Sequence, residues 1–112
     1  MLPALLLPLF ALAAPVTGVG LGLEQKENKV LVHDVLTGTP ASRSGAIHPG
    51  DRVVAVLTSE SDPLGWLPVK KLTVDEVVQL VRGAAGVKVG LRLEGLEGEY
   101  QVTLTREEFD VP

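Results

Sequence analysis

Two stretches near the C-terminal end of the chain alternate strictly between apolar and polar positions. Val87, Val89, Leu91 and Leu93 are interleaved with Lys88, Gly90, Arg92 and Glu94, and Tyr100, Val102 and Leu104 with Gln101, Thr103 and Thr105. A period of two puts the apolar set on one face, so each stretch predicts a half-buried strand, and Gly95 to Gly98 predicts the turn between them. Upstream the period changes. Val74, Val77, Val78 and Val81 fall at i, i+3, i+4 and i+7, Thr73 and Glu76 form a T-x-x-E capping box, and Gly83 stands where a helix exit is expected. Four valines are poor helix formers, so packing has to hold this helix.

The remaining segments predict smaller pieces. Thr17 to Glu24 alternates glycine with apolar residues, and Val30 to Leu36 is a β-branched run suited to a buried strand. Thr39-Pro40-Ala41-Ser42-Arg43-Ser44-Gly45 predicts a short helix with Thr39 as N-cap, Pro40 in the first turn and Gly45 at the exit. Pro49-Gly50-Asp51 is a tight turn into a strand over Arg52 to Leu57, and Thr58 to Lys71 is a long loop. The order β-β-α-β-α-β-β describes a small, mostly antiparallel α+β domain.

At the N-terminus, an uncharged apolar run from Leu2 to Ala13 has the length of a signal-peptide core and is too short to span a bilayer. Ala11-Leu12-Ala13 supplies a small-x-small cleavage pattern, so residues 1–13 are expected to be a signal peptide or an uncleaved anchor. The expected location is periplasmic or secreted, with membrane contact only through an uncleaved segment. In 112 residues there is room for one small domain, and every scaffold needing about 200 residues is excluded. Ten Lys+Arg against 14 Asp+Glu leave a net charge of −4, which argues against a phosphate-tracking surface and hence against nucleic acid. The absence of cysteine removes disulfide frameworks, zinc ribbons and thiol catalysis.

No catalytic constellation emerges from the remaining residues. His33 and His48 are separated by a predicted helix and have no cysteine to complete a metal set, so no metal and no cofactor are expected. Ser42, Ser44, Ser59 and Ser61 have no histidine or lysine partner placed by any motif. Gly18-Val19-Gly20-Leu21-Gly22 lacks the third glycine of a dinucleotide loop, since Leu23 stands there, and no helix follows. Trp66 either covers the core beneath the long loop or rims a binding site.

The glycine segment has another physical use. Without side chains at Gly18 and Gly20, successive N–H groups can turn towards one point and receive an anion, with Val19 and Leu21 lining an apolar hollow below. That suits a terminal carboxylate whose last side chain is hydrophobic; a plain glycine turn feeding an edge strand is the alternative. Five of the nine positions from Val74 to Arg82 are apolar, more than one stripe requires. With Val77 and Leu80 in the core, Val74, Val78 and Val81 form a second row that either lines a groove or widens the buried face.

Together these residues resemble a PDZ domain. Gly18-Val19-Gly20-Leu21 resembles its carboxylate-binding loop, Gly38-Thr39-Pro40-Ala41 and Ser44-Gly45 the stretch around its short helix, and Ile47-His48-Pro49-Gly50-Asp51-Arg52-Val53 its L-x-P-G-D-x-I turn. Asp75 to Gly83 resembles its groove helix. Gly65-Trp66, Arg82-Gly83-Ala84-Ala85-Gly86 and Val102 to Glu107 are similar to the PDZ domain of carboxyl-terminal processing, or tail-specific, proteases. The resemblance implies an α+β, partly open antiparallel barrel or sandwich capped by two helices, in the circularly permuted bacterial topology where the last strand takes the place of the usual first one. It places the domain at residues 16–106, followed by a tail at 107–112.

The serine and lysine of those proteases lie in a downstream domain that nothing here matches, so catalysis does not carry over and no enzyme activity is expected. Peptide capture does. The resemblance implies that Val19, Gly20 and Leu21 present carboxylate-binding amides, with Gly18 and Gly22 flanking them. Leu21 to Gln25, including Leu23, would be the pairing strand, while Val74 would face the third residue from the ligand's end and Val78 and Val81 the terminal pocket. The expected partners are apolar C-termini of exported or envelope proteins. The alternatives are a regulatory domain serving a protease domain on a separate chain, or a closed groove filled by the Thr58–Lys71 loop and Trp66.

Overall fold

In chain order the elements are β1 (Val16–Gly18), β2 (Leu21–Lys26), β3 (Lys29–Val35), α1 (Pro40–Ser44), β4 (Arg52–Leu57), β5 (Leu67–Pro68), α2 (Val74–Val81), β6 (Lys88–Gly95), β7 (Gly98–Thr105) and β8 (Glu107–Phe109). This computed structural model describes residues 15–59 and 65–111; the apolar run from Leu2 to Ala13 and the middle of the long loop, 60–64, lie outside the described residues. The main sheet runs β2-β3-β4-β6-β7, with β5 on β4, and β1 pairs with β8 as a separate ribbon. All pairings are antiparallel. Both sheets are open, and β2 forms one edge of the larger one.

The two alternating stretches form the longest pairing, β6 with β7 from Lys88↔Thr105 to Gly95↔Gly98. Val89, Leu91 and Leu93 are buried, joined by Val30, Val32, Val53, Val56, Ile47 and Leu104 in a core built almost wholly of valine and leucine. The last long strand thus completes the sheet beside β6, the placement that the permuted topology implies. Residues 107–109, expected in a tail, form β8 instead, and Gly18 pairs there with Glu107. The glycine segment falls between two strands, with Val19-Gly20 separating β1 from β2, and β2 covers the strand expected over Leu21 to Gln25.

Turn chemistry seats the helices. Thr39 caps α1, accepting from the Ser42 amide, and Gly45 closes it with φ 67°. At Pro49-Gly50-Asp51 the Asp51 amide donates to the His48 carbonyl at 3.1 Å, with Gly50 at φ 95°, the geometry only glycine adopts readily. The buried Asp51 carboxylate accepts from the His48 amide and from the Tyr100 hydroxyl, tying this turn to β7. Burial, the hydrogen bond to Asp51 and its negative charge together push the Tyr100 hydroxyl far above its ordinary value of 10.0. Helix α2 begins at the Thr73–Glu76 capping box and packs over β2 and β4.

Candidate functional site

The peptide units of the glycine segment are oriented by its neighbours. The Val19 carbonyl accepts from the Ala41 amide and the Gly20 carbonyl from the Leu36 amide, both at 2.9 Å. In a trans peptide the N–H points opposite to the C=O of the same unit. The amides of Gly20 and Leu21 therefore point away from α1 and β3. In an antiparallel ladder only alternate residue pairs exchange hydrogen bonds; with Gly20 bonded to Leu36, the Leu21↔Val35 pair is a non-bonded one. Two successive donors are thus presented at the unpaired edge of β2.

Gly20 is required here for two reasons. Its φ is +89°, and a Cβ on it would lie 2.0 Å from Oγ1 of Thr39. Thr39 is itself fixed, since it is 2% exposed and donates to the Leu36 carbonyl at 2.6 Å. Gly22 admits the Asp34 carboxylate, whose Oδ1 would lie 2.0 Å from a Cβ there. The pairs Gly22↔Asp34 and Leu23↔Val32 leave His33 as the extra residue of a bulge on β3, so β2 itself is regular. His33 is exposed beside Glu24 and Asp34, with its nitrogens 3.9 and 3.6 Å from their carboxylates.

Across from this edge, α2 has the expected wide apolar face, divided differently from the expectation. Val77 is 0% and Val81 6% exposed, while Val74, Val78 and Leu80 are half-buried. At 100° per residue the centre of the buried face lies between Val77 and Val81, with Val74 and Val78 on one shoulder and Leu80 on the other. Val81 therefore joins the core and offers a ligand little surface, and Leu80, expected in the core, is the residue left on a shoulder. Val19 also departs from the expectation. At 2% exposed its side chain is sealed in the core, so only the backbone at this position is available.

Strand β2 and helix α2 lie against each other, with Leu21, Leu23 and Val74 half-buried on the core. Their directions are opposed, since Gln25, near the end of β2, accepts from the amide of Val74, the first residue of α2, at 3.3 Å. At the other end Arg82 follows α2 beside the glycine segment, where a Cβ on Gly18 would lie 3.6 Å from Cγ of Arg82. Arg82 is exposed and has no ion-pair partner among the described residues. The result is an apolar trough with two backbone donors and a cation at one end.

Sequence reasoning placed Gln25 only as the end of the pairing strand and Arg82 only at the end of the helix, without a role for either side chain, and it missed Arg106. Arg106 is 2% exposed and donates from Nε to the Val81 carbonyl at 2.8 Å and from Nη2 to that of Leu80 at 3.1 Å. It thereby caps the C-terminus of α2. Gly83 makes room for it, because a Cβ there would lie 2.8 Å from the guanidinium carbon. Trp66 is not in the trough. It packs on the face of β6 opposite the core, over Gly90, with the Arg92 guanidinium 4.6 Å from its ring centre. That position removes Trp66 as a filler of the groove.

Comparison with known proteins agrees with this geometry. The PDZ domain family matches residues 12–94. The chain is 28% identical over 99 residues to the tail-specific protease of Haemophilus influenzae, covering 84% of this chain and 13% of that protein. It is 33% identical over 101 residues to the carboxy-terminal processing protease CtpA of Bacillus subtilis, covering 89% of this chain and 20% of that protein. The chain thus spans a fifth or less of the length of these curated relatives. Among solved structures, the PDZ domain of the carboxy-terminal protease from Vibrio cholerae, in complex with a peptide, superposes with a TM-score of 0.77 at 28% identity, covering 88% of this chain and 100% of that one. A photosystem II D1 C-terminal processing protease superposes with a TM-score of 0.67 at 31% identity, over 82% of this chain and 23% of that one. With the loop, the edge strand and the groove helix in their PDZ arrangement, this chain belongs to the PDZ domain family and is related to the PDZ regions of C-terminal processing proteases.

Proposed function

We propose that this chain is a non-catalytic module that captures the C-terminal tails of other proteins, adding each tail as an antiparallel strand between β2 and α2. The observation that carries this reading is the pair of amides, Gly20 and Leu21, turned to the open edge of β2 because their neighbouring carbonyls are held by Ala41 and Leu36. A terminal carboxylate on those donors has the exposed cation of Arg82 nearby. The last side chain then lies over Leu21 beside Val78, and the third from the end meets Leu23 and Val74, which favours apolar residues at both places. The peptide bound to the Vibrio cholerae relative supports a peptide as the partner.

Such capture is weak. Ordering each ligand residue costs about 1–2 kcal/mol, and burying an apolar side chain returns about 1.5–3 kcal/mol. Strand hydrogen bonds and the carboxylate supply the remainder, so tethering or multivalency is needed for tight retention. The apolar N-terminal run supports an exported protein, periplasmic or secreted, whose ligands are tails of exported or envelope proteins. A second reading follows from the relatives, which are proteases of which this chain matches only a part. In it the module senses substrate tails for a catalytic domain on a separate chain.

The test is a titration with peptides ending in Val, Leu or Ala, each as free acid and as C-terminal amide. Capture predicts at least about tenfold preference for the acid, the scale of one charge-assisted hydrogen bond. Arg82→Gln should reduce that preference while leaving the folding midpoint unchanged. Equal binding of acids and amides refutes the reading.

A further inference from the structure

The far end of the trough is closed by a side chain. Because β2 is regular, Leu21, Leu23 and Gln25 share the face turned towards α2. The first two are apolar and pack on the core, whereas Gln25 spans the gap and accepts from the Val74 amide at 3.3 Å. That amide is one of the donors that the first turn of a helix leaves without an internal partner. The amides of Thr73 and Glu76 are held within the capping box, by Glu76 Oε1 at 2.8 Å and Thr73 Oγ1 at 3.2 Å. Gln25, itself exposed, therefore extends the cap from another element and bridges β2 to α2 at this end. The edge itself stops one residue later, since β2 ends at Lys26 and Glu27 turns the chain with φ 55°.

We propose that Gln25 is the stop of the groove, limiting it to the last four residues of a tail and turning the fifth out to solvent. This rests on the capture reading. With a ligand's last residue opposite Leu21, antiparallel pairing puts the third opposite Leu23 and the fifth opposite Gln25, whose side chain already reaches across to the first residue of α2. A longer extended ligand has to break the Gln25–Val74 hydrogen bond and leave the helix donor to water. The ligand class that fits is a short C-terminal stub whose upstream sequence goes unread, so a tail protruding only slightly from a folded domain is sufficient.

The experiment is an NMR titration of the 15N-labelled protein with free-acid peptides of four and eight residues sharing the same last four, alongside the octapeptide amide. In the wild type the two acids bind within about twofold of each other. In Gln25→Ala the octapeptide binds about threefold or more tighter than the tetrapeptide, the scale of one newly allowed strand hydrogen bond. Gln25→Glu, which keeps the reach and the acceptor, retains the wild-type equality and guards against a merely unfolded alanine variant. The proposal is overturned if wild-type affinity rises threefold from four to eight residues, or if Gln25→Ala leaves the length dependence unchanged. Those failures leave the preference for acid over amide standing. Loss of that preference overturns the capture reading and this inference with it.

Discussion

Alanine in place of Gly20 tests why the donor loop has its shape. The new Cβ would lie 2.0 Å from Oγ1 and 2.2 Å from Cβ of Thr39, against 3.4 Å or more for ordinary contact, and residue 20 sits at φ +89°. The left-handed backbone alone costs an alanine about 1–2 kcal/mol. Displacing Thr39 forfeits its cap on α1, about 1 kcal/mol, and its buried hydrogen bond to the Leu36 carbonyl, about 1 kcal/mol more. Gly20→Ala is therefore expected to destabilise the domain by about 3–4 kcal/mol, lowering the thermal midpoint by about 15 °C or more for a chain of this size. The assay is urea and thermal denaturation of Gly20→Ala, Thr39→Gly and the double variant. Glycine at an N-cap costs little and vacates the contested space, so the double variant should be more stable than the sum of the single effects by at least about 1 kcal/mol. A Gly20→Ala protein within about 1 kcal/mol of wild type refutes the reasoning, and strict additivity refutes the Thr39 contact as the cause.

Four further variants have expected outcomes. Val77→Ala removes fully buried methyl groups and should cost about 2–3 kcal/mol of stability. Val78→Ala, on the groove shoulder, should cost under about 1 kcal/mol yet weaken tail binding by up to about tenfold; the reverse pattern would exchange their roles. Arg106→Met leaves the Leu80 and Val81 carbonyls without their donor and should cost about 1–3 kcal/mol by urea denaturation, whereas a variant as stable as wild type would mean that the buried charge costs as much as its bonds return. The Tyr100 hydroxyl is held protonated in the fold beyond its unfolded value of 10.0. Its contribution is present in full below pH 10 and is lost as pH rises above it, because the unfolded chain releases the proton first. Thermal midpoints measured from pH 8 to 11 should thus fall more steeply above pH 10 in the wild type than in Tyr100→Phe, and parallel curves would remove the Tyr100–Asp51 bond from the account.

Features written in neighbouring residues were legible in the sequence. The period of two in Val87–Glu94 and Tyr100–Thr105, the Thr73–Glu76 box and the Thr39-Pro40…Gly45 frame each depend on residues within one element, and each element formed where expected. The short strands β1, β5 and β8 were not legible, because two or three residues carry no period and pair only where the fold brings a partner. The same limit explains Gln25 and Arg106, whose hydrogen bonds reach across 49 and 25 residues of chain. For Trp66 a signal did exist, since a glycine at a polar-face position inside β6 marks a close approach, and Gly90 is where the ring lies. The exchange of Leu80 and Val81 between core and shoulder turns on about 50° of helix rotation, half the step between neighbouring residues, which a valine-rich sequence does not fix. At the glycine segment the sequence indicated donors; which amides are free followed only from the bonds that Ala41 and Leu36 make.

The central claim, that a tail adds to β2 with its carboxylate at the Gly20–Leu21 amides, is tested most directly by intermolecular NOEs between the labelled protein and an unlabelled free-acid peptide ending in an apolar residue. The account predicts an antiparallel series, with the last residue at Leu21 and Val78 and the third from the end at Leu23 and Val74, together with large shifts of the Gly20 and Leu21 amide signals. Contacts on the Trp66–Gly90 face, or at the hollow lined by His48, Leu96 and Tyr100, with the Gly20 and Leu21 signals unmoved, would contradict it.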